Sequence, residues 1–311
     1  MLNIWFAAGS HNWPDYALPL DEAFRAAGLD VRLSATPPAD PATVDYIIYA
    51  PGGDVDDFAP LTRVKLVQSL WAGVERIVGN ASLTQPLARM VDQGLSEGMV
   101  EWVTGHVLRH HLGMDRHIVN PTHIWDHSPP PLARDRHIGI LGMGALGAAS
   151  ARALQGLNFR VTGWSRTEKR LEGLTCLHGA EGLDRILHQA DMLVLLLPKT
   201  PETENILNAR AFALMKRGMV ILNPGRGALI DDAALLSALA DGTVAHATLD
   251  VFRVEPLPAD HPFWAHPRVT VTPHIAADTR APSAARIVAE NIARVERGEA
   301  PLHLVDRTRG Y

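Results

Sequence analysis

The chain has 311 residues, of which 47% are hydrophobic and 20% charged, a composition typical of globular proteins. This length predicts two domains, each large enough to have its own hydrophobic core. The net charge of −5 and the lack of a basic tract argue against nucleic acid or an anionic membrane as a partner. The most apolar run, Met192–Pro198, is too short to cross a bilayer.

Two further features indicate where the protein works. The N-terminal segment has an apolar run without a basic leader, so it is interpreted as a first strand rather than a signal peptide. The single cysteine, Cys176, cannot form an internal disulfide and fits a reducing compartment. A cytoplasmic protein is therefore expected.

The first hundred residues alternate strand-like and helix-like segments. A helix is predicted over Pro19–Ala27 with Gly28 as its C-cap. The alternation predicts a parallel sheet whose ligand-facing loops follow the carboxyl ends of the strands, and Trp71–Val74 is one such loop. The predicted strands are Leu2–Ala8, Asp30–Ser34, Tyr46–Ala50, Lys65–Leu70 and Ala88–Val91.

A long helix and an arm follow. Apolar residues at helical spacing predict one helix over Gly98–Ile118. The next segment, Asn120–Pro131, contains Pro121, Trp125 and three successive prolines, so it cannot be helical throughout. This arm either wraps a partner subunit or links two domains, and the sequence does not separate these alternatives.

The stretch from His137 to Thr167 has the organisation of a nucleotide-binding βαβ unit. A buried strand, His137–Leu141, runs into Gly142, Gly144 and Gly147, the pattern G-x-G-x-x-G, and then into an alanine-rich helix. The first glycine permits the tight turn, the second lets the backbone approach a pyrophosphate, and the third lets the helix pack on the strand. The phosphates are expected on the helix N-terminus, with Met143, Ala145 and Leu146 completing the contacting loop.

The residues after the second strand indicate which dinucleotide binds. An NAD site usually has Asp or Glu about 20 residues past the first glycine, where it bonds the ribose hydroxyls. This chain has Trp164, Ser165, Arg166 and Thr167 there, and no acid. A guanidinium can hold a 2′-phosphate bidentately, with Ser165 or Thr167 donating further hydrogen bonds. NADP(H) is therefore the expected cofactor, with NAD(H) as the alternative.

The second half continues the alternation and brings three polar stretches to one edge. Helices are predicted over Asp231–Ala240 and Ala281–Arg297. Each polar stretch follows a separate strand, so all three are expected at the same sheet edge; they are Asn223–Gly227, Leu249–Pro256 and Thr272–Ala277. The predicted strands are Arg160–Gly163, Asp191–Leu197, Gly218–Leu222, Ala245–Asp250 and Arg268–Val271.

Several motifs together resemble one family over nearly the whole chain: GMGALG, WSRT, LLLPKTPET, NPGRG, LDVFRVEPLP, HPRVTVTPHIAA and the C-terminal VDRTRGY. The chain is similar to the D-isomer-specific 2-hydroxyacid dehydrogenases, and within them to the glyoxylate/hydroxypyruvate reductase A subgroup. The resemblance implies two doubly wound parallel-sheet α/β domains. A Rossmann-type cofactor domain, 98–280, would be inserted in a flavodoxin-like substrate domain, 1–97 plus 281–311.

The resemblance also implies a catalytic set and a substrate loop. Arg226 would bind and polarise the substrate, Glu255 would be the partner of the histidine, and His274 would donate the proton. A nearby carboxylate favours the imidazolium, which raises the histidine pKa toward working pH. The loop Trp71, Ala72, Gly73 and Val74 would hold the substrate carboxylate through backbone amides, and Trp71 would narrow the pocket in favour of small 2-keto acids.

Cofactor contacts and a homodimer are implied in the same way. Asp250 would contact the nicotinamide carboxamide, and one departure from the family is Pro224, whose missing N–H leaves only its carbonyl for a contact. No metal is expected, because there is no H-E-x-x-H or Cys–His pattern and the adjacent His110 and His111 cannot face one site. The remaining implied cofactor contacts are Leu197, Pro198, Thr203, His274 and Ala276.

The reaction expected is reduction of glyoxylate or hydroxypyruvate to the D-2-hydroxy acid. One alternative is the same chemistry on a bulkier 2-keto acid. The other is a nucleotide-sensing binding protein without catalysis, since the same fold serves transcriptional corepressors.

Overall fold

The computed structural model describes residues 1–307, and the end of the VDRTRGY motif, 308–311, lies outside the described residues. The strands are β1 (Leu2–Ala7), β2 (Val31–Ser34), β3 (Tyr46–Tyr49), β4 (Leu66–Ser69), β5 (Leu87–Ala88), β6 (His137–Leu141), β7 (Arg160–Ser165), β8 (Thr175–His178), β9 (Met192–Leu195), β10 (Met219–Asn223), β11 (Val244–Leu249) and β12 (Val269–Val271). The helices are α1 (Trp13–Ala26), α2 (Gln93–Leu112), α3 (Asp115–Ile118), α4 (Ala145–Gly156), α5 (Gly179–Gln189), α6 (Ala209–Ala213), α7 (Asp232–Asp241) and α8 (Ala281–Glu296).

The chain divides into two compact units. Unit 1 comprises Met1–Leu95 and the segment from Thr279 onward, and unit 2 comprises Ser96–Asp278. The predicted divisions, after 97 and after 280, fall two residues from these positions. None of the helices formed within residues 1–307 has the length and apolarity to span a bilayer.

Unit 1 is a five-stranded parallel sheet in the order β2-β1-β3-β4-β5, which is the flavodoxin-like order. Its central strand β3, YIIY, is buried along its whole length because the sheet is covered on both faces. One face packs α1 against α8 around Phe6, Leu20 and Val288. A buried amide pair fixes the returning helix, since Asn291 Nδ2 donates to Gln68 Oε1 at 2.7 Å.

Unit 2 is a seven-stranded parallel sheet in the order β12-β11-β10-β9-β6-β7-β8. The order reverses at β6, the first strand of the unit, as in doubly wound folds. The predicted class of two parallel-sheet α/β domains is thereby confirmed. The apolar face of α2 packs on this unit through Met99, Val103 and Val107.

The helix predicted over Gly98–Ile118 is wrong at both ends. The chain forms α2 from Gln93 and breaks it after Leu112, because Gly113 has a φ of +61° that ends the helix. α3 follows as one short turn. Adjacent histidines on α2 take different sides, as expected: His110 Nε2 lies 2.8 Å from Thr248 Oγ1, whereas the His111 ring packs on Phe159.

Of the other elements, α1 and α7 were predicted with errors at their first residues, and β8, α5 and α6 were not predicted. α1 begins at Trp13 rather than Pro19, because Pro14 sits in the first turn, where its missing N–H costs nothing. α7 begins one residue after Asp231, whose side chain accepts a hydrogen bond from the N–H of Ala234. No element was predicted between Gly163 and Asp191, where β8 and α5 lie.

We predict that Gly147→Ala lowers the free energy of unfolding by about 1–3 kcal/mol. An added Cβ would lie 1.9 Å from the carbonyl oxygen of Gly142, a backbone atom that cannot rotate away. Urea denaturation of both proteins measures the difference.

The matched control is Gly156→Ala at the other end of α4, where an added Cβ meets nothing within 4 Å. The urea concentration at the midpoint of its unfolding should equal that of the wild type or be higher, since alanine is the better helix former. Equal destabilisation by the two substitutions would contradict the close packing of α4 on the turn.

Candidate active site

The glycine-rich turn between β6 and α4 has the geometry expected of a pyrophosphate cradle. Gly142 has a φ of +108°, and a Cβ there would lie 2.3 Å from the carbonyl oxygen of Leu196. Gly144 is the N-cap of α4, is exposed, and would place a Cβ in open space. An approaching phosphate can use that space and the N–H groups of the first helical turn. The residues present therefore fit a dinucleotide.

The other members of the turn differ in what they can offer a ligand. The side chain of Met143 is buried and packs against Gly163, where a Cβ would lie 2.3 Å from its sulfur. Its carbonyl accepts a hydrogen bond from Lys169 Nζ at 3.0 Å. Ala145 is exposed and Leu146 is half-buried. Contacts at Met143 are thus limited to its backbone.

The end of β7 and the loop that follows it offer fewer phosphate donors than the sequence predicts. Trp164 is a packing residue, because its ring is buried and its indole N–H donates to the carbonyl of Gly179 at 2.8 Å. The Ser165 hydroxyl is buried and donates to the carbonyl of Thr167 at 2.7 Å. Arg166 and Thr167 are exposed at the edge of the sheet. The exposed donors of this segment therefore include the side chains of Arg166, Thr167 and Lys169.

The loop after β9 is closed by its own hydrogen bonds. The Thr203 hydroxyl donates to the carbonyl of Pro198 at 2.7 Å, and the N–H of Thr200 donates to Thr203 Oγ1 at 2.8 Å. Leu197 is buried and anchors this loop in the hydrophobic core of unit 2, whereas Pro198 is half-buried.

Arg226 is held on the loop after β10 by the side chain of Asn223. Asn223 Nδ2 donates to the carbonyl of Arg226 at 2.9 Å, and Asn223 Oδ1 accepts from the N–H of Gly225 at 3.2 Å. The Arg226 guanidinium donates to the carbonyl of Gly225 at 2.7 Å. Pro224 is buried within this loop. Asn223 was missed as an organising residue, although an asparagine at the end of a buried strand is a signal for a turn bond.

Asp250 fixes the loop that carries His274. It is fully buried, and its Oδ1 accepts hydrogen bonds from the Thr272 hydroxyl at 2.5 Å and the N–H of Ile275 at 3.0 Å. Its Oδ2 accepts from the N–H of buried Ala276 at 2.9 Å. Three of about four acceptor positions are therefore occupied from within the protein. The sequence did not reveal this use of the carboxylate, which the family resemblance had assigned to the nicotinamide carboxamide.

The backbone at His274 is strained, with a φ of +56°. A non-glycine residue in this left-handed region costs about 1–2 kcal/mol. The hydrogen bonds to Asp250, together with that from the N–H of His274 to the carbonyl of Asp250 at 2.8 Å, hold the conformation. Such strain marks a position where the side-chain direction matters.

Glu255 and His274 form a hydrogen-bonded pair, with His274 Nδ1 at 2.8 Å from Glu255 Oε2. The other oxygen, Oε1, accepts from the N–H of Phe252 at 2.8 Å, which orients the carboxylate. The hydrogen bond to Glu255 raises the pKa of His274, burial opposes it, and the charges of Glu255 and Asp250 add to the rise. The imidazole is half exposed, and bonding at Nδ1 leaves Nε2 to act on a ligand.

Arg226 acts electrostatically on both members of this pair. Burial raises the pKa of Glu255, but the hydrogen bonds from His274 and Phe252 and the charges of His274 and Arg226 together hold it below its ordinary value. Arg226 also slightly offsets the rise in the pKa of His274. The three residues predicted as the catalytic set are thus neighbours in unit 2.

The predicted substrate loop lies in unit 1, directly after β4. The N–H of Trp71 donates to Ser69 Oγ at 3.0 Å, and the carbonyl of Leu70 accepts from the Thr279 hydroxyl at 2.9 Å. The Trp71 ring is exposed, whereas the Val74 side chain is buried in the core. Ala72 and Gly73 are half-buried. Any ligand contact at Val74 is therefore through its backbone, as predicted for this loop.

Within residues 1–307, no group of three or more His, Cys, Asp or Glu side chains is arranged to hold a metal ion.

Comparison with known proteins identifies the family. Residues 105–276 match the family described as "D-isomer specific 2-hydroxyacid dehydrogenase, NAD binding domain". A relative from Serratia proteamaculans named "Glyoxylate/hydroxypyruvate reductase A" is 39% identical, with 92% of this chain and 95% of the relative covered. A relative of the same name from Yersinia enterocolitica is 40% identical, with 90% of each chain covered.

Solved structures agree with this similarity. A D-isomer specific 2-hydroxyacid dehydrogenase from Xanthobacter autotrophicus, in complex with NADPH and MES, matches with a TM-score of 0.89 and 39% identity over 100% of this chain and 99% of that chain. An NADPH-dependent glyoxylate/hydroxypyruvate reductase from Sinorhizobium meliloti, in complex with NADP and sulfate, matches with a TM-score of 0.88 and 35% identity over 100% of both chains. With both its nucleotide-binding unit and its full length matched, this chain belongs to the D-isomer specific 2-hydroxyacid dehydrogenase family.

Proposed function

We propose that this protein is an NADPH-dependent reductase of small 2-keto acids, glyoxylate and hydroxypyruvate, which it converts to the D-2-hydroxy acids. The observation that carries the proposal is the His274–Glu255 pair beside Arg226 in a dinucleotide-binding fold. The names of the two curated relatives and of the Sinorhizobium meliloti structure support the substrate. Unit 1 would bind the substrate and unit 2 the cofactor.

NADPH is the preferred cofactor in this proposal. The segment after β7 has Arg166 where NAD sites have an acid, and the bound structures contain NADPH or NADP. When bound, NADPH supplies the hydride that reduces the keto carbon. The turn Gly142–Gly147, with its helix N-terminus, would hold the pyrophosphate, and Arg166, Thr167 and Lys169 would receive the 2′-phosphate.

In this proposal, residues of the chain bind the substrate, stabilise the developing charge and donate the proton. Arg226 bridges the substrate carboxylate and keto oxygen, which orients the substrate and stabilises the negative charge that grows on that oxygen. His274, kept protonated by Glu255, donates its proton from Nε2 to the developing alkoxide. The backbone of residues 71–74 binds the carboxylate, and the Trp71 ring restricts the size of the substrate.

We further propose that the protein forms a homodimer. The arm, Asn120–Pro131, exposes two large apolar side chains, Ile124 and Trp125, the latter 92% exposed, and Val119 and Leu132 next to its ends are exposed as well. Apolar groups this exposed, several together, usually mark an interaction site. We propose that this arm contacts a second copy of the chain. We also propose a cytoplasmic location, because the single cysteine, Cys176, is a free thiol and fits a reducing compartment.

We predict that purified protein oxidises NADPH with glyoxylate and hydroxypyruvate, and that His274→Ala lowers kcat by about a hundredfold to ten-thousandfold. The dissociation constant for NADPH should change little, because the loss affects proton donation. Absorbance at 340 nm follows turnover with NADPH and NADH across a panel of 2-keto acids. Activity restricted to bulkier acids, or absent with all of them, would contradict the proposed substrate or catalysis.

The matched control is His188→Ala, a histidine exposed on α5 outside the proposed site. Its kcat and NADPH binding should equal those of the wild type. A similar loss of kcat in both variants would remove His274 from the proposed role.

We predict that Glu255→Gln moves the alkaline limb of the kcat/KM profile for reduction to lower pH. Glu255 raises the pKa of His274, and reduction requires the imidazolium, so activity falls as pH rises through that pKa. Without the carboxylate, kcat/KM falls at a lower pH, and the difference in kcat/KM between the variant and the wild type becomes smaller as the pH decreases. A profile whose alkaline limb does not move would contradict the assigned role of Glu255.

We predict that the wild type sediments as a dimer at micromolar concentration and that Trp125→Ser combined with Ile124→Ser produces monomers. The substitutions remove the apolar area that drives association. Leu18→Ser, at an exposed apolar residue on α1, is the control and should remain dimeric. A monomeric wild type, or an arm variant that stays dimeric, would contradict the proposed interface.

A further inference from the structure

An ion pair spans the edge of the sheet at which the nucleotide is expected. Arg166, on the loop after β7, has its Nη1 at 3.7 Å from Oε2 of Glu202, on the loop after β9. Strand β6 lies between β7 and β9, so the pair bridges the carboxyl end of β6, where the glycine-rich turn begins. In a doubly wound sheet this crevice receives the nucleotide.

Both charged groups are accessible to a ligand, with the Arg166 and Glu202 side chains 55% and 59% exposed. Hydrogen bonds from the Thr200 side chain and from the backbone of Glu202, and the charge of Arg166, hold the pKa of the Glu202 carboxyl below its ordinary value. It is therefore ionised at neutral pH. A carboxylate here attracts the guanidinium that a 2′-phosphate needs, and it repels the phosphate itself.

We propose that Glu202 is a specificity-determining residue that competes with the 2′-phosphate of NADPH for Arg166. The inference rests on the proposed use of NADPH. Binding of the phosphorylated cofactor exchanges one anionic partner of Arg166 for another, whereas binding of the unphosphorylated cofactor leaves the ion pair intact. Glu202 thereby lowers the affinity for the phosphorylated cofactor and narrows the preference for NADPH over NADH, without changing the affinity for NADH.

The competition can be measured on the adenosine half of the cofactor without any turnover. Wild type and Glu202→Gln are titrated calorimetrically with adenosine 2′,5′-bisphosphate and with 5′-AMP, which lacks the 2′-phosphate. The bisphosphate should bind more tightly to the variant by up to about fivefold, the upper end of what an exposed ion pair contributes. Binding of 5′-AMP should stay the same. The gain should shrink at about 0.5 M salt, because exposed charges are screened.

Glu204→Gln is the matched control. It removes the same charge two residues farther along the loop, but Glu204 pairs with Arg253, whose Nη1 lies at 3.7 Å from its Oε1. Its affinity for both ligands should equal that of the wild type. In an Arg166→Met background, Glu202→Gln should lose most of its effect, because the two residues then have no interaction left to break.

The outcomes separate this inference from the proposed function. A wild type that binds the bisphosphate no better than 5′-AMP overturns the proposed cofactor, and the role of Glu202 with it, before any variant is compared. If the wild type does prefer the bisphosphate, unchanged binding in Glu202→Gln overturns the inference alone. So does equal tightening of both ligands, or an undiminished effect in the Arg166→Met background.

Discussion

The hydrogen bond between Glu255 and His274 is the contact on which the chemistry of this chain depends. The Glu255 carboxylate, with Oε2 at 2.8 Å from Nδ1, stabilises the protonated ring, raises the pKa of His274 and orients the imidazole. Asp250 supports this pair from the backbone side. It accepts three hydrogen bonds from the loop around His274, and these hold His274 at its backbone φ of +56°. A buried acid thus maintains the strained loop while an accessible acid sets the charge of the ring.

The same division between support and chemistry recurs at Arg226. Asn223, at the end of β10, bonds both the N–H of Gly225 and the carbonyl of Arg226, so the guanidinium projects from a fixed loop. Arg226 and His274 therefore each follow a parallel strand and are held by a buried polar side chain, whereas Glu255 is oriented by the N–H of Phe252. Sites built in this way keep their geometry before the ligand binds, which reduces the reorganisation needed during reaction.

Local patterns explain why much of the fold could be predicted from the sequence. The strand His137–Leu141 and the glycine turn follow from an apolar run and from steric needs of the backbone, and both occur as predicted. The helix from Gly98 was misjudged because apolar spacing continues past Gly113, where only the backbone conformation ends it. β8 was missed because a short edge strand with partly buried residues has little hydrophobic signal. α5 was missed although its apolar residues Leu183, Ile186 and Leu187 have helical spacing. The burial of Trp164 depends on packing between distant segments, which no local pattern reports.

The sequence allowed the residues of the candidate site to be predicted, but not the hydrogen bonds and ion pairs that join them. Arg226, Glu255 and His274 were chosen because each follows a strand that should end at one edge, and family resemblance gave them roles. The bonds from the His274 loop to Asp250 and the pairing of Arg166 with Glu202 join residues 22 to 36 positions apart in the sequence. Such contacts are set by sheet order, and a single sequence does not encode them in a readable pattern.

The most direct test of the account is the pKa of the His274 imidazole in the cofactor-free protein. Titration of the ring by NMR, with the resonance assigned through His274→Gln, measures it without any assumption about substrate. The account predicts a midpoint above the ordinary histidine value of about 6.5 in the wild type and a lower midpoint in Glu255→Gln. A wild-type midpoint at or below the ordinary value, unaffected by Glu255→Gln, would contradict it.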